Sequence, residues 1–264
     1  MSKKEIATKE TTALSTEVDA LLGGMPDIDP NDLMIPRLLL LQPTSQLEGN
    51  AGEIIDRNVG GKVGGNGEKL NFIPLTFFKT WEHFKKVQGD GQRTWTGREM
   101  WGPDNAHLPW NEKVDGIEIS HDQTLNFYVM LERDLSNPMA MPYMVKFTRT
   151  GYQSGKKLLT AFQMARSAKF EPWSFVFALD SHLEKDDKRK YYELDVTQVL
   201  DTTTKQQKRV SGEALENARK WAKIIIENQA VITKRTLQDE DETPTQAPRT
   251  TSSPTFNASE PLPF

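Results

Sequence analysis

Cysteine is absent from the 264 residues. Disulfides, thiolate metal sites and a thiol nucleophile are thereby excluded. Long apolar runs are missing too: mean hydropathy is −0.61, and no stretch approaches the roughly 20 residues a helix needs to cross a bilayer. The N-terminus is charged and leads into no apolar signal-peptide core, so the chain is expected to stay in the cytoplasm, with no membrane partner. Histidine is scarce, and His83, His107, His121 and His182 show no metal-ligand spacing. No serine sits in a nucleophile elbow. Gly60 to Gly67 holds five glycines in eight residues but lacks the Lys-Ser/Thr of a Walker-type loop. Gly151-Tyr152-Gln153-Ser154-Gly155-Lys156-Lys157 is one residue short between its glycines, and Lys157 stands where a hydroxyl must hold magnesium. No cofactor and no metal site is expected, and an enzyme is disfavoured. A metal-dependent nuclease built from scattered Asp and Glu stays open as an alternative.

The net charge of −4 is unevenly spread. Residues 1–32 carry three basic and seven acidic side chains, and residues 236–264 carry one and five, so each end is −4. Between them, residues 33–235 hold 29 basic and 25 acidic residues, a mildly basic body of +4. That distribution suits a body that meets an anion and ends that do not.

The pattern divides the chain into a flexible N-terminal arm (1–30), one globular domain (31–235) and a disordered acidic tail (236–264). The tail is rich in Pro, Thr, Ser and acids, and cannot bury enough apolar surface to offset the entropy of ordering it. Within the body, Leu33 to Leu41, Gly52 to Arg57, Leu70 to Phe84, Thr124 to Glu132 and Pro142 to Thr148 read as strands. Gly60 to Gly67 reads as a loop. Trp173 to Leu179 and Tyr191 to Val199 read as a hairpin whose turn, Glu184 to Lys190, is charged. One helix is expected from Gly155 to Ala168, capped by Ser154, with Leu158, Leu159, Phe162 and Ala165 on one face. A second is expected over 211–231, where Ala214, Leu215, Ala218, Trp221, Ala222 and Ile225 recur at helical spacing. Some seven short strands and two helices predict a β-rich α+β fold: an oligonucleotide-binding-type (OB-like) barrel with added helices and disordered termini.

The segment 77–110 interleaves rings and cations: Phe77, Phe78, Lys79, Trp81, His83, Phe84, Lys85, Lys86, Arg93, Trp95, Arg98, Trp101 and Trp110. Unpaired bases stack on aromatic faces, and the phosphates between them need Lys and Arg. The candidate DNA contacts here are Lys79, Trp81, Phe84, Lys85, Lys86, Arg93, Trp95, Arg98 and Trp101. Trp95-Thr96-Gly97-Arg98 reads as a hairpin tip. Phe77 or Phe78, and Trp110, are expected inward. A second cluster, Lys146, Arg149, Tyr152, Lys156 and Lys157, lies where a strand hands over to a helix. Lys156 and Lys157 would sit in the first turn, where the helix dipole favours an anion.

The chain closes on Ser259-Glu260-Pro261-Leu262-Pro263-Phe264, downstream of Asp239-Glu240-Asp241-Glu242. A terminal Phe offers a ring and a carboxylate together, which a partner can take in an apolar pocket lined by a cation. This ending resembles that of bacterial and phage single-stranded DNA-binding proteins, whose acidic tails finish in an aromatic or Pro-Phe tip. Pro263 and Phe264 match that end residue for residue, with Glu260 in place of the acids before it and Leu262 in place of the hydrophobic residue. The match departs in having a single acid at the tip. In the body, Met34-Ile35-Pro36-Arg37-Leu38, Gly52-Glu53-Ile54 and Phe72-Ile73-Pro74-Leu75 look more like a phage-encoded version than the short bacterial one. The resemblance implies a non-catalytic protein that coats single-stranded DNA in replication, recombination or repair. It also implies recruitment of replication or recombination proteins through Glu260, Leu262, Pro263 and Phe264, in the host cytoplasm. A phage structural or assembly protein, or a polymerase-binding regulator, is the other reading the body allows.

Overall fold

A computed structural model describes residues 34–45, 47–86, 93–185 and 190–234. The arm, the acidic tail with Glu260, Leu262, Pro263 and Phe264, and most of the charged turn after Lys185 lie outside the described residues. Among the described residues the chain forms ten strands: β1 (Arg37–Leu40), β2 (Glu53–Asp56), β3 (Lys62–Gly65), β4 (Leu70–Lys86), β5 (Arg93–Met100), β6 (Asn111–Val114), β7 (Ile117–Leu131), β8 (Tyr143–Thr148), β9 (Phe177–Lys185) and β10 (Lys190–Gln198). The α-helices α1 (Tyr152–Ser167) and α2 (Gly212–Glu227) accompany them. No helix among the described residues is long and apolar enough to cross a membrane.

All ten strands join one sheet in the order β10-β9-β4-β7-β8-β1-β2-β3, with β5 added to β4 and β6 to β7. The sheet is antiparallel except where β1 runs parallel to β8. It curls into a half-barrel, and side chains stitch its two ends together. Gln42, just after β1, donates from Nε2 to the Tyr192 carbonyl (2.8 Å) and accepts from the Tyr192 N–H (2.9 Å) on β10. Ser181 on β9 accepts from the Asn66 N–H (2.7 Å) and donates to the Gly52 carbonyl. Gly52, at φ 92°, leaves room for the Tyr192 ring, which would lie 2.3 Å from an added Cβ.

Alternation along β7 explains why both faces are buried. Leu125, Phe127, Val129 and Leu131 face one core with Phe147, Leu158, Phe162 and Leu194, closed by α1. Tyr128 and Met130 face a second core with Ile73, Leu75, Phe78, Ala218, Ala222 and Ile225, closed by α2. A register shift between Pro74 and Thr76 resets the parity of β4, so that Leu75 and Phe78, three residues apart, share one face.

The structure departs from the sequence reading in several places. The Gly60 to Gly67 loop contains β3, because its glycines let backbones approach: a Cβ on Gly65 (φ 84°) would sit 2.5 Å from the Gly52 carbonyl. The Trp95 to Arg98 tip is the middle of β5, and Gly97 marks a bulge opposite His83, where the register with β4 shifts. A β6–β7 hairpin is added through Asp115 and Gly116, both at positive φ, the pair a tight primed turn requires. Trp173 belongs to a 3-10 turn (Pro172–Ser174) and the strand begins only at Phe177. α1 starts at Tyr152, with Gly151 as N-cap; Ser154 does not cap it, and instead donates to Asp195 Oδ1 (3.3 Å). α2 ends at Glu227, and a further helical segment covers 229–234.

Candidate nucleic-acid interface

β4 and β7 are the longest strands, and their distal halves pair with β5 and β6 as an arm. On one face of this arm the apolar residues give way to Thr80, Glu82 and Phe84 on β4, opposite Thr124, Asp122 and Ser120 on β7. Glu82 and Asp122 are direct cross-strand neighbours. Like charges so placed repel, and four cations answer them. Arg98 (2.9 Å) and Lys146 bond Glu82, while Arg93 (3.0 Å) and Arg149 (2.6 Å) bond Asp122. Burial alone would push the Glu82 carboxyl up, but the Lys146 ammonium and the Arg98 guanidinium hold it below the usual carboxylate range. Asp122 is likewise lowered, its burial outweighed by the hydrogen bonds from Arg93 and Arg149. Burial lowers the Lys146 ammonium despite Glu82. Arg149 takes a left-handed backbone, φ 51°, in a short 3-10 turn (Arg149–Gly151).

The rings divide sharply. Trp81 is 4% exposed and Tyr152 8%, so both are corrected from strand contacts to buried residues, Tyr152 within the core closed by α1. Phe78 is buried and Phe77 packs against the same core as Phe127. Trp110, expected inward, is 61% exposed, and Trp101 is 37% exposed with the Lys79 ammonium 4.7 Å from its ring centre. Trp95 is half-buried, with the Arg98 guanidinium 5.9 Å away. Phe84 lies under two guanidiniums, Arg93 at 4.4 Å and Arg149 at 4.9 Å. Beside it a depression of about 340 Å3 is lined by Lys86, Arg93, Trp110, Ser120 and Asp122. Arg149 also lines a larger cleft of about 940 Å3 between β1, the end of β8 and β10, together with Gln42, Thr148, Lys190, Tyr191 and Tyr192. Lys86 and Arg93 thus share the depression with the exposed Trp110, Arg149 joins Arg93 over Phe84, and Arg98 and Lys146 are held at Glu82.

Lys85 stands apart: it pairs in register with Thr94 and Ile119, on the face opposite Phe84. Lys86 bonds Glu118 at 3.0 Å. Lys156 and Lys157 fall in the second turn of α1, beyond the reach of the helix N-terminus. Lys156 lies over the Tyr152 ring and Lys157 bonds Asp195 at 2.6 Å.

A pairing that sequence spacing concealed lies on the other face of the arm. His83 and His121 are cross-strand partners, with their Nδ1 atoms 2.6 Å apart. Glu99 Oε1 lies 3.4 Å from His83 Nε2 and Glu112 Oε1 lies 3.3 Å from His121 Nε2. Burial, then the neighbouring His121, lowers His83. Among the described residues no group of three or more such side chains is placed to hold a metal ion. The turn Asp115-Gly116, which carries β6 and its Glu112 to this place, was the signal available in the sequence.

No curated protein and no solved structure matches the chain. A model of the Pam3 phage gp34-like protein family matches residues 4–222, and the chain belongs to that family.

Proposed function

We propose that this member of a phage protein family is a non-catalytic single-stranded DNA-binding protein of the host cytoplasm. It coats strands with little regard to sequence during replication, recombination or repair. The curled sheet is read as an enlarged oligonucleotide-binding-type barrel. One observation carries the reading: Trp110 stands exposed on the rim of a depression lined by Arg93, whose guanidinium lies, with that of Arg149, over the ring of Phe84. Exposed indole and guanidinium planes are surfaces on which unpaired bases stack, at about 1–3 kcal/mol per base. Asp122 fixes both guanidiniums before a strand arrives, so little side-chain entropy is lost on binding. The segment 236–264 is proposed to recruit replication or recombination proteins through Glu260, Leu262, Pro263 and Phe264; its sequence alone supports that part.

The test is titration of the full chain with oligo-dT, read by tryptophan fluorescence at several salt concentrations. Strong quenching, with affinity that falls as salt rises, is the expected result. Unchanged emission at low salt overturns the reading. It would favour a phage assembly protein, for which the carboxylate partners of the arm's cations already speak. Magnesium-dependent cleavage of a labelled strand would instead favour a nuclease.

A further inference from the structure

From Leu135 to Phe170 the chain has no Asp or Glu, although 37 of its 264 residues are acidic. The same 36 residues hold Lys146, Arg149, Lys156, Lys157, Arg166 and Lys169. Lys146 and Arg149 are spent on Glu82 and Asp122, and Lys157 on Asp195. Lys156, Arg166 and Lys169 are exposed, and among the described residues no carboxylate pairs with them. Lys156, Gln163 and Arg166 stand at i, i+7 and i+10, one side of α1. Lys156 and Arg166 are about 15 Å apart along the axis. Lys169 follows in a left-handed conformation, φ 58°. The first acid after the gap, Glu171, is turned away to Arg219 of α2, at 2.9 and 3.0 Å.

Just past the helix lies a second ring–cation stack. The Arg209 guanidinium is 3.9 Å from the centre of Phe170 and 4.6 Å from that of Phe175. Phe170 is 47% exposed, Arg209 is exposed, and among the described residues no acid pairs with Arg209. An aromatic platform with an unneutralised cation therefore continues an unneutralised basic ridge. Cations without acid partners keep their full attraction for phosphate, whereas paired ones must first give up a carboxylate.

We propose that the solvent side of α1, from Lys156 through Arg166 and Lys169 to the Phe170–Arg209–Phe175 stack, is the track that carries the phosphates of a bound single strand. Phe170 is its base-stacking platform. The proposal rests on the single-strand reading above and moves the electrostatic grip from the sheet arm to the helix.

The test compares the full chain with the combined variant Lys156→Gln, Arg166→Gln, Lys169→Gln, titrated with oligo-dT across a salt series. Each lost phosphate contact removes about 0.7 from the slope of log affinity against log salt, so three should flatten it by about 2 and weaken low-salt binding tenfold or more. Melting temperature should stay put, because the three side chains are exposed. Phe170→Ala, a separate variant, should weaken binding roughly fivefold to a hundredfold at all salt concentrations, as loss of one stacked base does. If the wild-type protein binds and the triple variant keeps its affinity and slope, the track is overturned while the single-strand reading stands. If the wild-type protein binds no oligo-dT at low salt, both fall together. A duplex that competes as well as oligo-dT would overturn the stacking platform.

Discussion

Two regions of this protein use the same residue types to opposite effect. On the sheet arm, Arg93, Arg98, Lys146 and Arg149 converge on Glu82 and Asp122, which face each other across the β4–β7 ladder. Along α1 and just past its end, Lys156, Arg166 and Lys169 meet no acid among the described residues. Density of rings and cations does not distinguish the regions; the acid supplied by a neighbouring strand does. On the arm the cations have a structural task, because two carboxylates in register would otherwise repel. On the helix no such task exists, and the charge is left for a ligand.

The comparison is broken most forcefully at Glu82. Glu82→Gln removes the charge that holds Lys146 and Arg98, and breaking a buried ion pair costs about 3–5 kcal/mol. Urea denaturation should show a loss of that order, whereas the helix triple variant should stay within about 0.5 kcal/mol of the parent. An unchanged midpoint for Glu82→Gln would mean that the arm network is decorative. Acid should mimic the substitution. The folded values of Glu82 and Asp122 lie below their ordinary ones, so their contribution is complete above the usual carboxylate range near about 4. It is lost as pH falls through the depressed folded values. A pH series of melting temperatures should therefore drop below about 4 in the parent, and less steeply in Glu82→Gln.

Phe84 is the next point of leverage. Phe84→Leu keeps an apolar contact but removes the ring beneath two guanidiniums, a cation–π interaction of about 0.5–2 kcal/mol. If the arm stacks bases on those planes, oligo-dT affinity should fall severalfold with little change in salt slope. A wild-type affinity would assign the arm to stability alone and leave strand contact to α1.

How far the sequence reveals this division follows from the range of the forces involved. Alternation in the inner half of β7 and the helical spacing of Ala214 to Ile225 are local, and both elements form there, although β7 begins at Ile117, before the expected Thr124, and α2 stops at Glu227. β3 and β6 lack an apolar pattern: one is held by glycine-permitted backbone approach, the other by the Asp115-Gly116 turn. Trp81 is buried and Trp110 exposed because of register shifts and pairing partners that flanking polarity does not report. The acids that neutralise the cluster lie 16 residues from Arg98, 64 from Lys146 and 27 from Arg149, so the network is invisible until the strands pair. The acid-free run of α1, by contrast, is plain in the sequence, but rings drew attention to the arm first.

The finest adjustment converts one region into the other. Asp122→Asn keeps the shape of the side chain and removes the charge shared by Arg93 and Arg149, which are 30% and 50% exposed at their side chains. Both guanidiniums then face solvent without a full counter-charge, as Lys156 and Arg166 do on the helix. Oligo-dT affinity should rise, by up to about tenfold, and the salt slope should steepen by as much as about 1.4, two contacts at 0.7 each. Stability should fall slightly, because Arg93 and Arg149 lose the charged acceptor that both hydrogen-bond. An increase in affinity means that carboxylate pairing is what keeps the arm from gripping phosphate. A decrease means that Asp122 orients the guanidiniums for stacking, and that the arm binds bases while the helix binds the backbone.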